Sequence, residues 1–458
     1  MVLPAGFEPA ALRLGGECSI LLSYGSQNAE YRRQRVAQVQ KFCKGRQKDP
    51  GRASTLTRHN PGATPQSIDY PISEPVLTSY SPFSLDAPPV RLFLLAAGLV
   101  LASCECSDSA ITEPPSDPTP APAYNRGFYL DMALDSAGNP WLAYQDRDHT
   151  ALFVAQGSGD PIAFSHQSVD GKGEVQGGLL VGNFDAGYYA SIALDSGDIP
   201  HVAHWDKDDG RLRYGTDSGE GWMLETVDTG SVGQFTSIGI RQGAPVIAYY
   251  DYGAGSLKVA HKSEGQWSTE TVDAGDGSTS SATGKYADLL VGANGTIHVA
   301  YYDEVLGELR VASGTPGNWS ISTWYSSESG KAGAWPNLSE HGGSLYASFQ
   351  DLGANALMFG RWTGSQLDAT VVHSGEFIGA DSATAWIGDS PTIMYHDGVN
   401  NDAILAVNTG SGWTHSTHMG DGAHGFHNSL ETGPTGQLNW AGFNHSTTDI
   451  EFQRFSPQ

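Results

Sequence analysis

Tyr189-Ala190-Ser191-Ile192-Ala193-Leu194, then Ser196-Gly197-Asp198-Ile199-Pro200, then His201-Val202-Ala203-His204-Trp205-Asp206 are the residues that decide the fold. Ala190 to Leu194 alternates as one strand, the Ser/Gly/Asp/Pro cluster turns the chain, and His201 to Trp205 is a second strand ending in aromatic-x-Asp. Leu212-Arg213-Tyr214 and Trp222 to Val227 supply two more short strands before the pattern restarts. We term the four strands A to D in chain order.

The end of strand B recurs as Tyr144-Gln145-Asp146, His204-Trp205-Asp206, Tyr249-Tyr250-Asp251, Tyr301-Tyr302-Asp303, Phe349-Gln350-Asp351, Tyr395-His396-Asp397 and Phe443-Asn444-His445. The third positions lie 60, 45, 52, 48, 46 and 48 residues apart, the spacing of one propeller blade. An all-β fold follows: a seven-bladed β-propeller of four-stranded antiparallel blades over residues 125–458, whose ring closure removes most of the exposed sheet edge. The last copy stops after Phe455 with room for three strands. Residues just before Arg126 are expected to pair with blade seven, the alternative being an incomplete final blade.

Composition agrees, with 57 glycines, 24 prolines, 10% aromatic and 16% charged residues, as many short strands and tight turns require. Beyond residue 91 the chain carries 14 Lys+Arg against 43 Asp+Glu. Such a surface repels phosphate backbones and anionic headgroups, so no nucleic-acid partner is expected. Cys18, Cys43, Cys104 and Cys106 are the only cysteines, which leaves the propeller without disulfides or thiolate metal sites. A monomer is expected.

Residues 1–25 resemble a transfer-RNA gene translated in frame, and the stretch to Pro89 shows neither a period of 2 nor one of 3.6; residues 1–89 are set aside as a disordered leader. Residues 90–104 read as an export signal, Val90-Arg91 followed by the apolar run Leu92 to Leu101 and then Ala102-Ser103-Cys104. The run is too short to cross a bilayer as a helix. Leu101-Ala102-Ser103-Cys104 resembles the signal of bacterial lipoproteins, which implies that Cys104 is diacylated and becomes the mature N-terminus. Glu105 stands where that family's inner-membrane retention signal has Asp, which implies sorting to the outer membrane. Residues 105–124, rich in Pro, Ser and Asp, form a solvated tether.

Repeats such as Ala193-Leu194-Asp195-Ser196-Gly197 with Pro200-His201-Val202-Ala203 resemble those of bacterial sialidase-like propellers. The resemblance is one of repeats only. The superfamily's Ser-x-Asp-x-Gly-x-x-Trp box is not met, because Asp135 and Gly138 stand one residue too far apart before Trp141. Nor do Arg126, Arg147, Arg211, Arg213, Arg241, Arg310, Arg361 and Arg454 share a repeat position from which to hold a sialic-acid carboxylate. Activity is therefore not inherited from the fold.

Strand A is innermost, so segments leading into A and leaving B share one face of the disc. The six repeated aspartates at the ends of strand B are read as turn caps. The position before them varies by blade and is predicted to contact ligand: Gln145, Trp205, Tyr250, Tyr302, Gln350, His396 and Asn444, with Tyr189, Phe235, Tyr286 and Trp335 from the starts of strand A, where Tyr188 and Phe426 share the same face. Aromatic faces beside amides and imidazole suit a sugar ring and its hydroxyls. The expected partner is a glycan or another envelope component, bound without catalysis. An alternative is an enzyme, centred on His396, His424, His427 and His445, that faintly resembles propeller polysaccharide lyases; a third is a scaffold for proteins. No cofactor is expected, although Asp206-Lys207-Asp208-Asp209-Gly210 offers clustered oxygens to calcium. Trp222, Trp267, Trp319 and Trp413 recur before strand D and are read as blade packing.

Overall fold

Blade three shows how the repeat becomes a sheet. Strand A (Val232–Arg241) and strand B (Ala244–Asp251) pair antiparallel across Gln242 and Gly243, both left-handed, so the two-residue turn matches the twist of its strands. Strand C (Ser256–Ser263) and strand D (Gln266–Asp273) continue the ladder across Glu264 and Gly265. Strands A, B and C carry the buried side chains, whereas D is largely exposed at the rim.

The computed structural model describes residues 9–14, 18–23, 124–171, 175–176, 179–180, 185–276, 282–328 and 330–456. Its two units divide after Asp108. In the first, Pro9–Leu14 pairs antiparallel with Cys18–Ser23. The export signal, Cys104 and nearly all of the tether lie outside the described residues. The second unit is the seven-bladed propeller. Its A strands are Arg126–Leu134, Tyr188–Leu194, Val232–Arg241, Thr283–Val291, Ala332–His341, Ile378–Ile387 and Phe426–Thr432. Its B strands are Pro140–Asp146, Pro200–Asp206, Ala244–Asp251, Ile297–Asp303, Ser344–Asp351, Ser390–Asp397 and Leu438–Asn444.

The core lies between blades. Blades three and four, for example, share Ala248, Val259, Leu289 and Val299 in one buried cluster. Six sheets have the order A-B-C-D, while the seventh shows A-B-C among the described residues. The expected closing strand before Arg126 falls outside those residues, save that Tyr124 and Asn125 form no strand. The ring meets through side chains and one backbone bond: Leu130, Met132, Leu142 and Tyr144 of blade one pack with Ala441, Ile450 and Phe452 of blade seven, and the Arg126 backbone N–H donates to Thr448 O at 3.1 Å. Arg126 Nε lies 2.6 Å from Asp449 Oδ1 across the same seam.

One register is corrected. In blade seven Asn444 pairs with Asp449 and Phe443 with Ile450, as Asp397 pairs with Asp402 and His396 with Ala403 in blade six. The repeat there is Gly442-Phe443-Asn444, one residue earlier than the aromatic pattern suggests, because Asn caps the turn as readily as Asp.

Candidate functional site: an aromatic collar at the channel mouth

Close to its start, every A strand carries one non-glycine residue with left-handed φ: Tyr129 (53°), Tyr189 (51°), Phe235 (52°), Tyr286 (53°), Trp335 (45°), Asp381 (50°) and His427 (51°). Bulky residues seldom accept this conformation. A glycine two positions earlier explains it. At Gly333 (φ 108°) an added Cβ would stand 2.5 Å from Leu309 N in strand C of the preceding blade, Glu308–Thr315. At Gly127 the same contact, 2.8 Å to Ile450 Cγ1, joins blade one to blade seven. Seating the backbone there breaks the A–B register between Ala334 and Asn337 and between the matching pairs of other blades, so the next residue but one is turned toward the axis as a bulge.

The turned residues touch in sequence around the ring. Ring centroids lie 5.2 Å apart for His427–Tyr129, 4.8 Å for Tyr129–Tyr189, 4.6 Å for Tyr189–Phe235, 4.7 Å for Phe235–Tyr286 and 4.5 Å for Tyr286–Trp335. Asp381 fills the remaining place, its Oδ2 accepting the His427 N–H at 3.3 Å. Six ring-bearing side chains and one carboxylate thus form a collar, half-buried except for the buried Phe235. Burial raises the Tyr189 hydroxyl well above its ordinary value, which keeps it neutral.

Two residues further along each A strand lies a belt: Asp131, Ser191, Ser237, Asp288, Asn337, Ala383 and Ser429. Most of its members accept a backbone N–H of the next blade: Asp131 from Ile192 at 3.0 Å, Ser237 from Leu289 at 2.9 Å, Asp288 from Leu338 at 2.6 Å and Asn337 from Thr384 at 2.8 Å. Glu431, another two residues along in blade seven, is open to water yet walled by protein. Desolvation, reinforced by the charges of Asp131 and Asp288, pushes its carboxyl up to about 7. Asp288 is also pushed up to about 7, by burial first and by Asp131 in addition.

The predicted strand-B ring lies deeper than the collar. Gln145, Tyr250, Tyr302, Gln350 and His396 are buried, and Trp205 is half-buried. Three of them donate to the same carbonyl position of the following blade: Gln145 Nε2 to Ala186 O at 3.1 Å, Gln350 Nε2 to Ile378 O at 2.6 Å, and His396 Nδ1 to His424 O at 2.9 Å. Trp205 and Tyr250 instead pack their rings on Tyr189 and Phe235 of their own blades. The position varies because the seam is filled in two ways, by a polar clamp or by an aromatic wedge. Asn444 accepts the N–H groups of Ser446 at 2.7 Å and Thr447 at 3.1 Å, as Asp397 accepts those of Val399 and Asn400.

The four histidines do gather. His396 stacks on Phe426 at 4.1 Å and His445 meets Phe426 at 4.7 Å and Phe443 at 4.9 Å, while His427 stands in the collar. His424 is buried with Nδ1 2.8 Å from Glu451 Oε2. Among the described residues no group of three His, Cys, Asp or Glu side chains is placed to share a metal ion; Asp206 and Asp209 of the calcium-candidate run both pair with Arg211. Trp267 and Trp319 donate to Glu225 at 2.7 Å and Glu270 at 2.9 Å of the preceding blades, while Trp222 and Trp413 pack against apolar clusters shared between blades. A separate cavity of about 240 Å³ beside Val305 and Leu306 contains Arg310, which Asp273 holds at 2.8 Å and Asp303 at 3.3 Å.

The sequence reading missed Tyr129 and Asp381 and took Phe426 for His427's position. The signal was present: stepping two residues on from each of Gly127, Gly187, Gly233, Gly284, Gly333, Gly379 and Gly425 reaches all seven collar members.

No family model and no curated protein matches the chain. Among solved structures it is similar to a protein of unknown function from Dyadobacter fermentans, at 12% identity over 60% of this chain and 95% of that one, with a TM-score of 0.42. It is also similar to the fucose-recognising six-bladed propeller lectin of Aleuria aurantia (14%, 64% and 95%, 0.39) and to the intramolecular trans-sialidase of Ruminococcus gnavus (10%, 72% and 94%, 0.43). Likeness at this level says nothing of a ligand.

Proposed function

We propose that the propeller is a non-catalytic binding module that takes a saccharide of the cell envelope or its surroundings on the collar. The unbroken band of rings from His427 through Tyr129, Tyr189, Phe235 and Tyr286 to Trp335 carries this reading. Half-buried aromatic faces suit the C–H faces of a pyranose, and Asp381 accepts from its hydroxyls. The module is exported and held at the membrane by a diacylated Cys104, a reading supported by the apolar run and small residues before that cysteine.

Binding and turnover by residues 107–458 on a glycan panel test the main reading. Binding without product, lost in Trp335→Ala, supports it; product abolished by His427→Ala would turn the reading to an enzyme. Fatty-acid labelling that is equal in the parent and in Cys104→Ala would remove the anchor.

A second reading, a protein partner on the same face, is favoured by exposed apolar side chains concentrated on four consecutive blades: Tyr252, Val305 and Leu306, Leu352, and Phe377 with Val399. The matching turns of blades one, two and seven carry Arg147 to His149, Lys207 to Asp209 and His445 to Thr447. Assembly lost in Leu306→Ser with glycan binding intact would establish that second use.

A further inference from the structure

We infer that the collar selects saccharides by charge, admitting neutral and amine-bearing rings and turning away uronates and other acidic sugars; this rests on the reading of the collar as a saccharide site. The inference comes from three tiers of strand-A residues along the axis. The collar contributes Asp381, the belt Asp131 and Asp288, and the tier beyond it Glu431. The other members of that last tier are Ala133, Ala193, Gly239, Leu290, Ser339 and Ala385. None of the three tiers holds a lysine or arginine.

Of the cations near the mouth, Lys331 is exposed just before strand A of blade five, and three others are engaged. Lys207 reaches Asp185 at 3.4 Å and the Tyr188 hydroxyl at 3.1 Å, Lys285 pairs with Glu304, and the Arg147 guanidinium lies 3.3 Å from the centroid of the Phe128 ring. Above about pH 7, where Asp288 and Glu431 are mostly ionised, an acidic sugar brought to the collar would meet carboxylates of its own sign, and the three tiers hold no guanidinium to form the paired hydrogen bonds that carboxylates need. Water reaches Asp381, Asp288 and Glu431, so this repulsion weakens as salt is added. A protonated amine, by contrast, gains from the ring faces and from Asp381.

The test uses residues 107–458 and three matched sets of oligosaccharides: neutral hexoses, the corresponding hexuronates, and the corresponding hexosamines with free amines. At low salt and just above about pH 7, where Asp288 and Glu431 are mostly ionised, we expect affinity to fall in the order hexosamine, hexose, hexuronate, with at least a tenfold gap between the last two. Raising ionic strength should narrow that gap without any substitution, and Asp381→Asn combined with Glu431→Gln should narrow it further. Hexuronates binding as tightly as hexoses, or a gap indifferent to salt, would overturn charge selection while leaving the saccharide site standing. Binding of none of the three sets would overturn the saccharide site, and charge selection with it.

Discussion

Two rings of residues share one face of this disc, and they differ in what surrounds them. The ring at the ends of strand B is one strand further from the axis, so its side chains fall between blades and are used up on the neighbour: Gln145, Gln350 and His396 each clamp a carbonyl of the next blade. The ring at the strand-A bulges has no blade in front of it: its members touch one another around the axis, with Trp205 and Tyr250 packed behind Tyr189 and Phe235. Residue types alone do not separate the two, since both mix aromatics with polar groups. Radial position does, and with it the division between residues that close the ring and residues that can meet a ligand.

The largest effect should come from the glycine that creates the bulge. Gly333→Ala places a Cβ 2.5 Å from Leu309 N at φ 108°, and we expect a loss above about 2 kcal/mol by urea unfolding. Gly342→Ala, at φ 56° with nothing within 4 Å, should lose only about 1 kcal/mol. Equal losses would mean that backbone conformation, and not contact with the preceding blade, fixes this position.

Next comes the clamp. Gln350→Ala leaves the Ile378 carbonyl without its donor and should destabilise by about 1 to 3 kcal/mol, while glycan affinity of the folded protein stays within twofold. A collar substitution should do the reverse: Trp335→Ala should weaken binding at least tenfold, about 1.4 kcal/mol, with a smaller change in stability. Because Trp335 sits at φ 45°, Trp335→Gly should be more stable than Trp335→Ala by about 0.5 to 1 kcal/mol. A clamp variant that loses binding, or a collar variant that keeps it, would dissolve the distinction between the rings.

The blades were legible in the sequence because their period is repeated seven times and six of the copies end strand B in a turn-capping Asp. Blade seven escaped by one residue because Asn444, not His445, caps its turn. The collar was half legible. Aromatics after glycine drew attention to Tyr189, Phe235, Tyr286 and Trp335, but Asp381 carries no aromatic signature and is defined only by the backbone. Nor does the chain's pattern separate solvent-facing from interblade positions in strand B, since the burial of Gln350 depends on Ile378 of the following blade.

The weakest effect concerns the belt beneath the collar and Glu431 in the tier beyond it, and has a definite sign. Asp288 and Glu431 are both pushed up to about 7, against about 4 in an unfolded chain. Between those values the folded protein holds protons that the unfolded chain has released, so stability is full below about pH 4, falls as pH rises through about 7 and is level above it. Asp288→Asn keeps a side-chain oxygen for the Leu338 N–H and removes one charge, so its melting temperature should fall less than the parent's between pH 5 and 8. The difference should amount to about 1 kcal/mol or less, since water reaching the channel screens these groups. Glu431→Gln should flatten the profile in the same direction. Glycan affinity for neutral sugars should follow neither change, because the belt lies behind the rings that the sugar meets. Parallel pH profiles for the parent and both variants would show that the channel leaves these carboxylates as they are in water, and the acidic interior would then cease to distinguish the belt from the collar above it.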